Sequence, residues 1–156
     1  MAAQPIEIFM PPNILKAKMG SGGIDPAALA RAEAAIEELK SEFPAWMNSA
    51  AEALTKRHAE FIASKGEERR AALFRASHDI KGQAATFGYP LAGRVAASLC
   101  ELLESELRPA ALVAAHVDAI RVIVRDSVQD ENDPGALALV RELESQSAEL
   151  RALRAF

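Results

Sequence analysis

From residue 25 onward, proline and glycine punctuate the chain at intervals suited to helices. They stand at Pro26, Pro44, Gly66, Gly88 with Pro90, Pro109 and Pro134, and the stretches between them carry apolar residues at three- and four-residue spacing. No stretch alternates with a period of two, so the pattern predicts helices and no strand. Asp25-Pro26 is a helix start, with Asp as N-cap and Pro in the first turn. A first helix then runs to about Phe43, and Pro44 opens a second that continues to about Ser64. Trp46, Ala50, Leu54 and Phe61 are the expected buried stripe of that second helix. After Gly66, Glu67 and Glu68 suit the positive N-terminal end of a third helix, which stops at Gly88 with Pro90 beyond. A fourth helix is expected from about Leu91 to Leu107. A fifth spans about Ala110 to Val128, with Val113, Val117, Ile120 and Val124 on one face. A sixth runs from Asp133-Pro134 to near Leu153. Loops this short between helices join antiparallel neighbours. The expected fold is therefore all-α: an antiparallel up-and-down four-helix bundle with additional N- and C-terminal helices.

Composition supports one helical domain. The chain has 156 residues, 50% of them apolar and 5% aromatic, enough for one real core and typical of Ala/Leu/Glu-rich helices. Residues 1–24 hold Pro5, Pro11, Pro12, Gly20, Gly22 and Gly23, and read as an irregular tail. Ile6, Ile8, Phe9, Met10, Ile14 and Leu15 lead us to expect part of it to pack on the body. Residues 25–156 read as a single domain, with its bundle core at about 44–128 and flanking helices at about 26–43 and 134–153. The net charge of -4 argues against nucleic acid as the main partner. No apolar run reaches the roughly 20 residues of a membrane span, and residues 1–12 lack the plan of a secretory signal. One cysteine, Cys100, excludes an internal disulfide framework and fits a reducing compartment, so the cytoplasm is expected.

The third helix carries the chemistry. At about 100° per residue, Leu73, Ala76/Ser77, Ile80, Ala84 and Phe87 form its core face. His78 lies about 200° from Ile80, beside Ala71, Phe74, Arg75, Lys81, Gly82 and Ala85, and is expected to be exposed. Gly82 is the oddity, since glycine inside a helix costs about 1 kcal/mol relative to alanine. Helical side chains lean toward the N-terminus. A side chain at 82 would lean over His78, so glycine leaves the imidazole open to another protein's backbone. Lys81 leans the same way and can reach a group on the ring. An exposed nucleophilic ring with a nearby cation suits reversible transfer of an anionic group, phosphoryl above all. Asp79 follows at pairing distance from Arg75.

The stretch H78-D79-I80-K81-G82-Q83-A84-A85-T86-F87-G88 resembles the signature of the histidine-containing phosphotransfer (HPt) domain. That signature is H-x-x-K-G followed by small residues and a second glycine. V95-A96-A97-S98-L99-C100-E101-L102-L103-E104 resembles the family's next helix, and the direct similarity covers about 30 residues. The resemblance implies a four-helix bundle whose histidine, His78, takes phosphoryl at Nε2 from an aspartyl phosphate on a receiver domain and passes it to another receiver. Lys81 would stabilise the phosphoryl charge and Gly82 give access. Phe74, Arg75, Gln83, Ala85 and Gly88 would form the partner-binding surface. No cofactor is implied, since receivers bring their own magnesium. The chain would be a monomeric phosphocarrier without autokinase or ATPase activity, its partners the receivers of a hybrid kinase or of response regulators. Some members support the ring with a glutamine on the next helix. That place falls near Cys100 here, so a different ring support, or none, is expected.

Two alternatives compete. S77-H78-D79-I80-K81 also begins like the phosphoacceptor segment of a sensor kinase, although that motif continues with a proline where Gly82-Gln83 stand. A non-catalytic helical adaptor would make His78 incidental. Elsewhere, His58 is expected to be exposed, His116 to border the fifth helix's stripe as a partly buried packing residue, and Cys100 to be a small core residue. No histidines or cysteines stand at metal-ligand spacing, and no phosphate-binding G-x-x-x-x-G-K-[ST] loop is present. The charge-rich sixth helix reads as a solvated cap, or as a partner or dimer surface.

Overall fold

The computed structural model describes residues 23–154. The expectation about tail packing falls on residues outside these. Six helices follow in order: α1 (Pro26–Lys40), α2 (Phe43–Ala63), α3 (Glu67–Gln83), α4 (Pro90–Glu104), α5 (Ala110–Arg125) and α6 (Pro134–Arg154). No strand occurs among the described residues.

The chain divides into two compact units, residues 1–39 and 40–156. Of the first, α1 is described. Asp25 caps it as expected, its Oδ1 accepting the Ala27 N–H at 3.2 Å. None of its residues is buried, and Leu29, Ile36 and Leu39 are exposed.

In the second unit α2, α3, α4 and α5 close a ring. Each packs on the next, α2 packs back on α5, and α6 packs against α4 and α5. Antiparallel order follows from connections too short to carry the chain back along a helix. The core is aliphatic: Leu54 from α2, Leu73 and Ile80 from α3, Leu91, Val95, Leu99 and Leu103 from α4, and Val113, Val117, Ile120 and Val124 from α5. The α5 stripe is the one its spacing predicts.

The first and fourth helices end at Lys40 and Glu104 rather than near Phe43 and Leu107, and three further expectations need correction. In α2 the buried residues are Met47, Ala51 and Leu54; of the expected stripe Leu54 is buried, but Trp46 is 40% exposed and Ala50 and Phe61 are half-buried. Met47 and Ala51 stand where Trp46 and Ala50 were expected, and Trp46 finds partners at the end of the bundle. Its ring packs on Phe43 and Phe87 with centroids 5.8 and 5.4 Å away, and Phe43 lies 4.9 Å from Phe87. The sixth helix is not a solvated cap. It buries Val140, Leu143 and Ser147, and two ion pairs fasten it to α4: a bidentate Arg94–Glu144 pair (2.9 and 2.7 Å) and Arg151–Glu101 at 2.7 Å. The fifth helix ends at Arg125 rather than near Val128. Ser127 takes a left-handed conformation (φ 52°), and the Val128 N–H bonds back to the Ile123 carbonyl at 2.9 Å.

The third helix terminates as its glycine predicts. Helical bonding continues past Gln83 to Phe87. Gly88 then adopts φ 90°, with Gly88 N–H to Ala85 O at 3.1 Å and Tyr89 N–H to Ala84 O at 2.8 Å. This is a Schellman end, and it needs a residue without a Cβ at the left-handed position. Across the turn, Gly93 of α4 lets the helices close up, since a Cβ there would meet the Ala84 Cβ at 3.4 Å.

Candidate functional site: the exposed face of α3

Leu73, Ser77, Ile80 and Ala84 bury one side of α3, and Ser77 satisfies its hydroxyl on the Leu73 carbonyl at 2.9 Å. That anchoring turns His78 to the outside. His78 is exposed, as are Arg75, Lys81, Gly82 and Ala85 around it, while Phe74 is half-buried and packs against the core. The Phe74 and His78 rings stack with centroids 6.0 Å apart and planes at 28°. Neither imidazole nitrogen has a hydrogen-bond partner among the described residues. The site therefore brings Phe74, Arg75, His78, Lys81, Gly82 and Ala85 onto one face.

The charges on this face are uncommitted. Neither Arg75 nor Lys81 forms an ion pair among the described residues. The Arg75–Asp79 pair that the spacing allows is not made; instead Arg75, Asp79 and Gln83 line a groove between α2 and α3 with Ala50, Ala53 and Arg57. Gln83 thus faces α2, away from the ring. On the other side, the Lys81 charge acts on the Cys100 thiol, against the burial that pushes this thiol up to about 11. Cys100 is 4% exposed and a free thiol in the core, as its residue type predicts. It makes no hydrogen bond to the His78 ring.

The two glycines of the motif differ in kind. A Cβ at Gly88 would meet the Gln129 side chain at 3.1 Å, on top of the strained φ, so the fold itself requires this glycine. A Cβ at Gly82 would meet nothing within 4 Å. Packing inside the chain gives no reason for glycine there, and helix propensity opposes it.

The remaining histidines are less exposed than expected. His58 is half-buried and lines a cavity of about 440 Å³ at the α2–α3 connection, with Phe61, Ile62, Lys65 and Arg108. Burial lowers its pKa and the Asp118 charge opposes this. His116 is fully buried rather than bordering the stripe. Its Nδ1 lies 2.7 Å from the Leu112 carbonyl and its Nε2 2.9 Å from the Ser98 and 3.3 Å from the Ser147 hydroxyl. The carbonyl can only accept, so Nδ1 carries the proton and Nε2 accepts from a serine. Burial lowers its pKa, the bond to Leu112 acting the other way. Helical spacing could place His116 near the core; only the serines on α4 and α6 explain how a polar ring is satisfied inside it. Among the described residues no group of three or more His, Cys, Asp or Glu could hold a metal ion, and no helix is long and apolar enough to cross a membrane.

Compared with known families, the chain matches the Hpt domain over residues 29–154, a span that takes in part of α1 and all of α6. It belongs to the Hpt domain family, whose members carry phosphoryl on histidine in two-component phosphorelays, exchange it with receiver domains, and are phosphocarriers rather than enzymes. No curated protein and no solved structure gives a significant match.

Proposed function

We propose that His78 is the phosphoacceptor of a multistep relay, taking phosphoryl from one receiver aspartate and delivering it to another. The observation that supports this most is Gly82, a helix-weakening residue with open space where its side chain would be, one turn after an exposed ring. In the transfer step the Nε2 lone pair attacks phosphorus and the bond from phosphorus to the aspartyl oxygen breaks. The carboxylate leaves with that electron pair, and Nδ1 keeps its proton until solvent removes it. Lys81 supplies positive charge to the transferring oxygens, and Arg75 complements the acidic receiver site. Magnesium belongs to the receiver, and this chain needs no cofactor. Ala85 and the α2–α3 groove residues Arg75 and Gln83 meet the partner. Gly88 acts on that surface through the helix end it shapes. The carrier works as a monomer in the cytoplasm, without autokinase or ATPase activity.

The test is transfer from a panel of radiolabelled phospho-receivers to the wild type and to His78→Gln. The reading expects acid-labile, alkali-stable label on the wild type and none on the variant. Label on both would move the site to another residue. Label on neither, with folded protein and a complete panel, would favour the helical adaptor.

A further inference from the structure

We propose that Phe74 is the positioning residue of this site: by stacking, it holds the plane of the His78 imidazole and leaves both ring nitrogens free. The proposal rests on the reading of His78 as phosphoacceptor. A histidine that must present a nitrogen to an incoming phosphorus atom needs a defined ring orientation, and a misplaced ring slows transfer. Proteins fix imidazoles most often by a hydrogen bond to one nitrogen, as Leu112, Ser98 and Ser147 do for His116. No such bond reaches His78 among the described residues. Its surroundings are one-sided. A helical side chain leans toward the preceding turn, and there His78 meets the Phe74 ring at 6.0 Å and 28°. On the following turn Gly82 offers no side chain, and a Cβ built there has no neighbour within 4 Å. Phe74 is itself held, being half-buried and packed against the core, so its ring is a fixed wall rather than a second mobile group. A stacked wall restricts the plane of the imidazole without claiming a lone pair or a proton. The nitrogen that takes phosphoryl therefore stays available, and so does the one that sheds the proton.

The experiment compares wild type, Phe74→Leu and Phe74→Tyr, with folding checked by circular dichroism. Three readouts are taken. In single-turnover transfer from a phosphorylated receiver, Phe74→Leu is expected to lower the maximal rate about 10-fold and to leave the half-saturating receiver concentration within about two-fold. Phe74→Tyr, which keeps the ring, restores the rate. With phosphoramidate, a small donor that gives its phosphoryl to the ring and releases ammonia from any approach, Phe74→Leu is expected to react like the wild type. In NMR spectra of the free protein, the His78 ring protons shift when the Phe74 ring current is removed and return with Phe74→Tyr. An increased half-saturating concentration with the maximal rate kept would make Phe74 a docking contact and overturn the proposal. Equal slowing with both donors would assign the loss to the nucleophile itself and overturn it as well. If no receiver labels the wild type but phosphoramidate labels His78, the relay reading fails separately. The NMR arm then decides about Phe74, and unchanged His78 ring shifts in Phe74→Leu would dismiss the stacked wall.

Discussion

His78 and His116 are the same residue type in opposite surroundings, on helices that do not pack on each other in the bundle. His116 is fully buried, and both its nitrogens are spoken for by groups on α4, α5 and α6. His78 is exposed, touches one aromatic ring and has no polar partner among the described residues. The contrast separates two demands on an imidazole. A buried ring must have its polar atoms satisfied, because an unmet donor or acceptor in the core costs about 1–3 kcal/mol; the bonds that meet this demand also end its reactivity. A ring that exchanges a group with a partner needs its nitrogens unclaimed, and so can sit only where water satisfies them.

The sharpest way to break this comparison is substitution. His78→Gln is expected to abolish transfer from a phospho-receiver while moving the urea midpoint little, since an exposed change stays within about 0.5 kcal/mol. A loss of more than that would show that His78 also bears structure. His116→Ala is expected to cost about 3 kcal/mol, from the cavity left and the bonds lost. Transfer by the fraction still folded should persist, and an equilibrium urea titration beside the transfer assay reads both. Gly82→Ala divides stability from function within one residue. A Cβ there meets open space, so the helix should gain up to about 1 kcal/mol while transfer slows about 10-fold, or about 1.4 kcal/mol of barrier. A more stable variant with unchanged transfer would leave the glycine unexplained.

Acidity sharpens the contrast further. The folded-state pKa of His116 is lowered by burial, so below the unfolded value of about 6.5 the unfolded chain binds a proton that the native state refuses. The contribution of this group is therefore fully present above that value and is lost as pH falls below it. His58, shifted in the same direction but only half-buried and opposed by Asp118, adds a smaller part. Urea midpoints at pH 7.5 and 5.5 should differ more in the wild type than in His116→Gln; equal differences would mean that His116 is not the group responsible. The smallest effect is expected from the surface tie of α6. The side chains of Arg94 and Glu144 are 42% and 36% exposed, and Arg94→Ala should cost about 0.5 kcal/mol in the same titration, less at high salt.

Much of this is legible in the sequence. Proline and glycine mark the helix boundaries because their backbone chemistry acts locally, and Gly88 ends α3 by the mechanism its residue type predicts. The exposure of His78 followed from the angle between it and Ile80, a property of the helix alone. What escaped depends on partners far away in sequence. Periodicity gives the width of an apolar face but not its phase, and in α2 Trp46 stands at the edge against Phe43 and Phe87. The alternating charges of α6 look like a solvated surface until Arg94 and Glu101 of α4 are seen opposite Glu144 and Arg151. His116 could not be told from a packing residue without Ser98 and Ser147. The end of α5 was missed for a local reason: Ser127 sits in a left-handed conformation that glycine or asparagine would have announced.

Trp46 is the one indole in the chain, and it stands where the start of α2 meets the end of α3, against Phe43 and Phe87. Its fluorescence is thus a built-in gauge of that end of the bundle, blind to the Ser98–His116–Ser147 joint on the far helices. Helical circular dichroism, by contrast, averages over the whole chain. If the two signals trace one urea curve, the joint and the aromatic end melt as a single cooperative unit. If the emission changes first, the aromatic end loosens while the other helices hold, and the bundle opens in parts rather than at once.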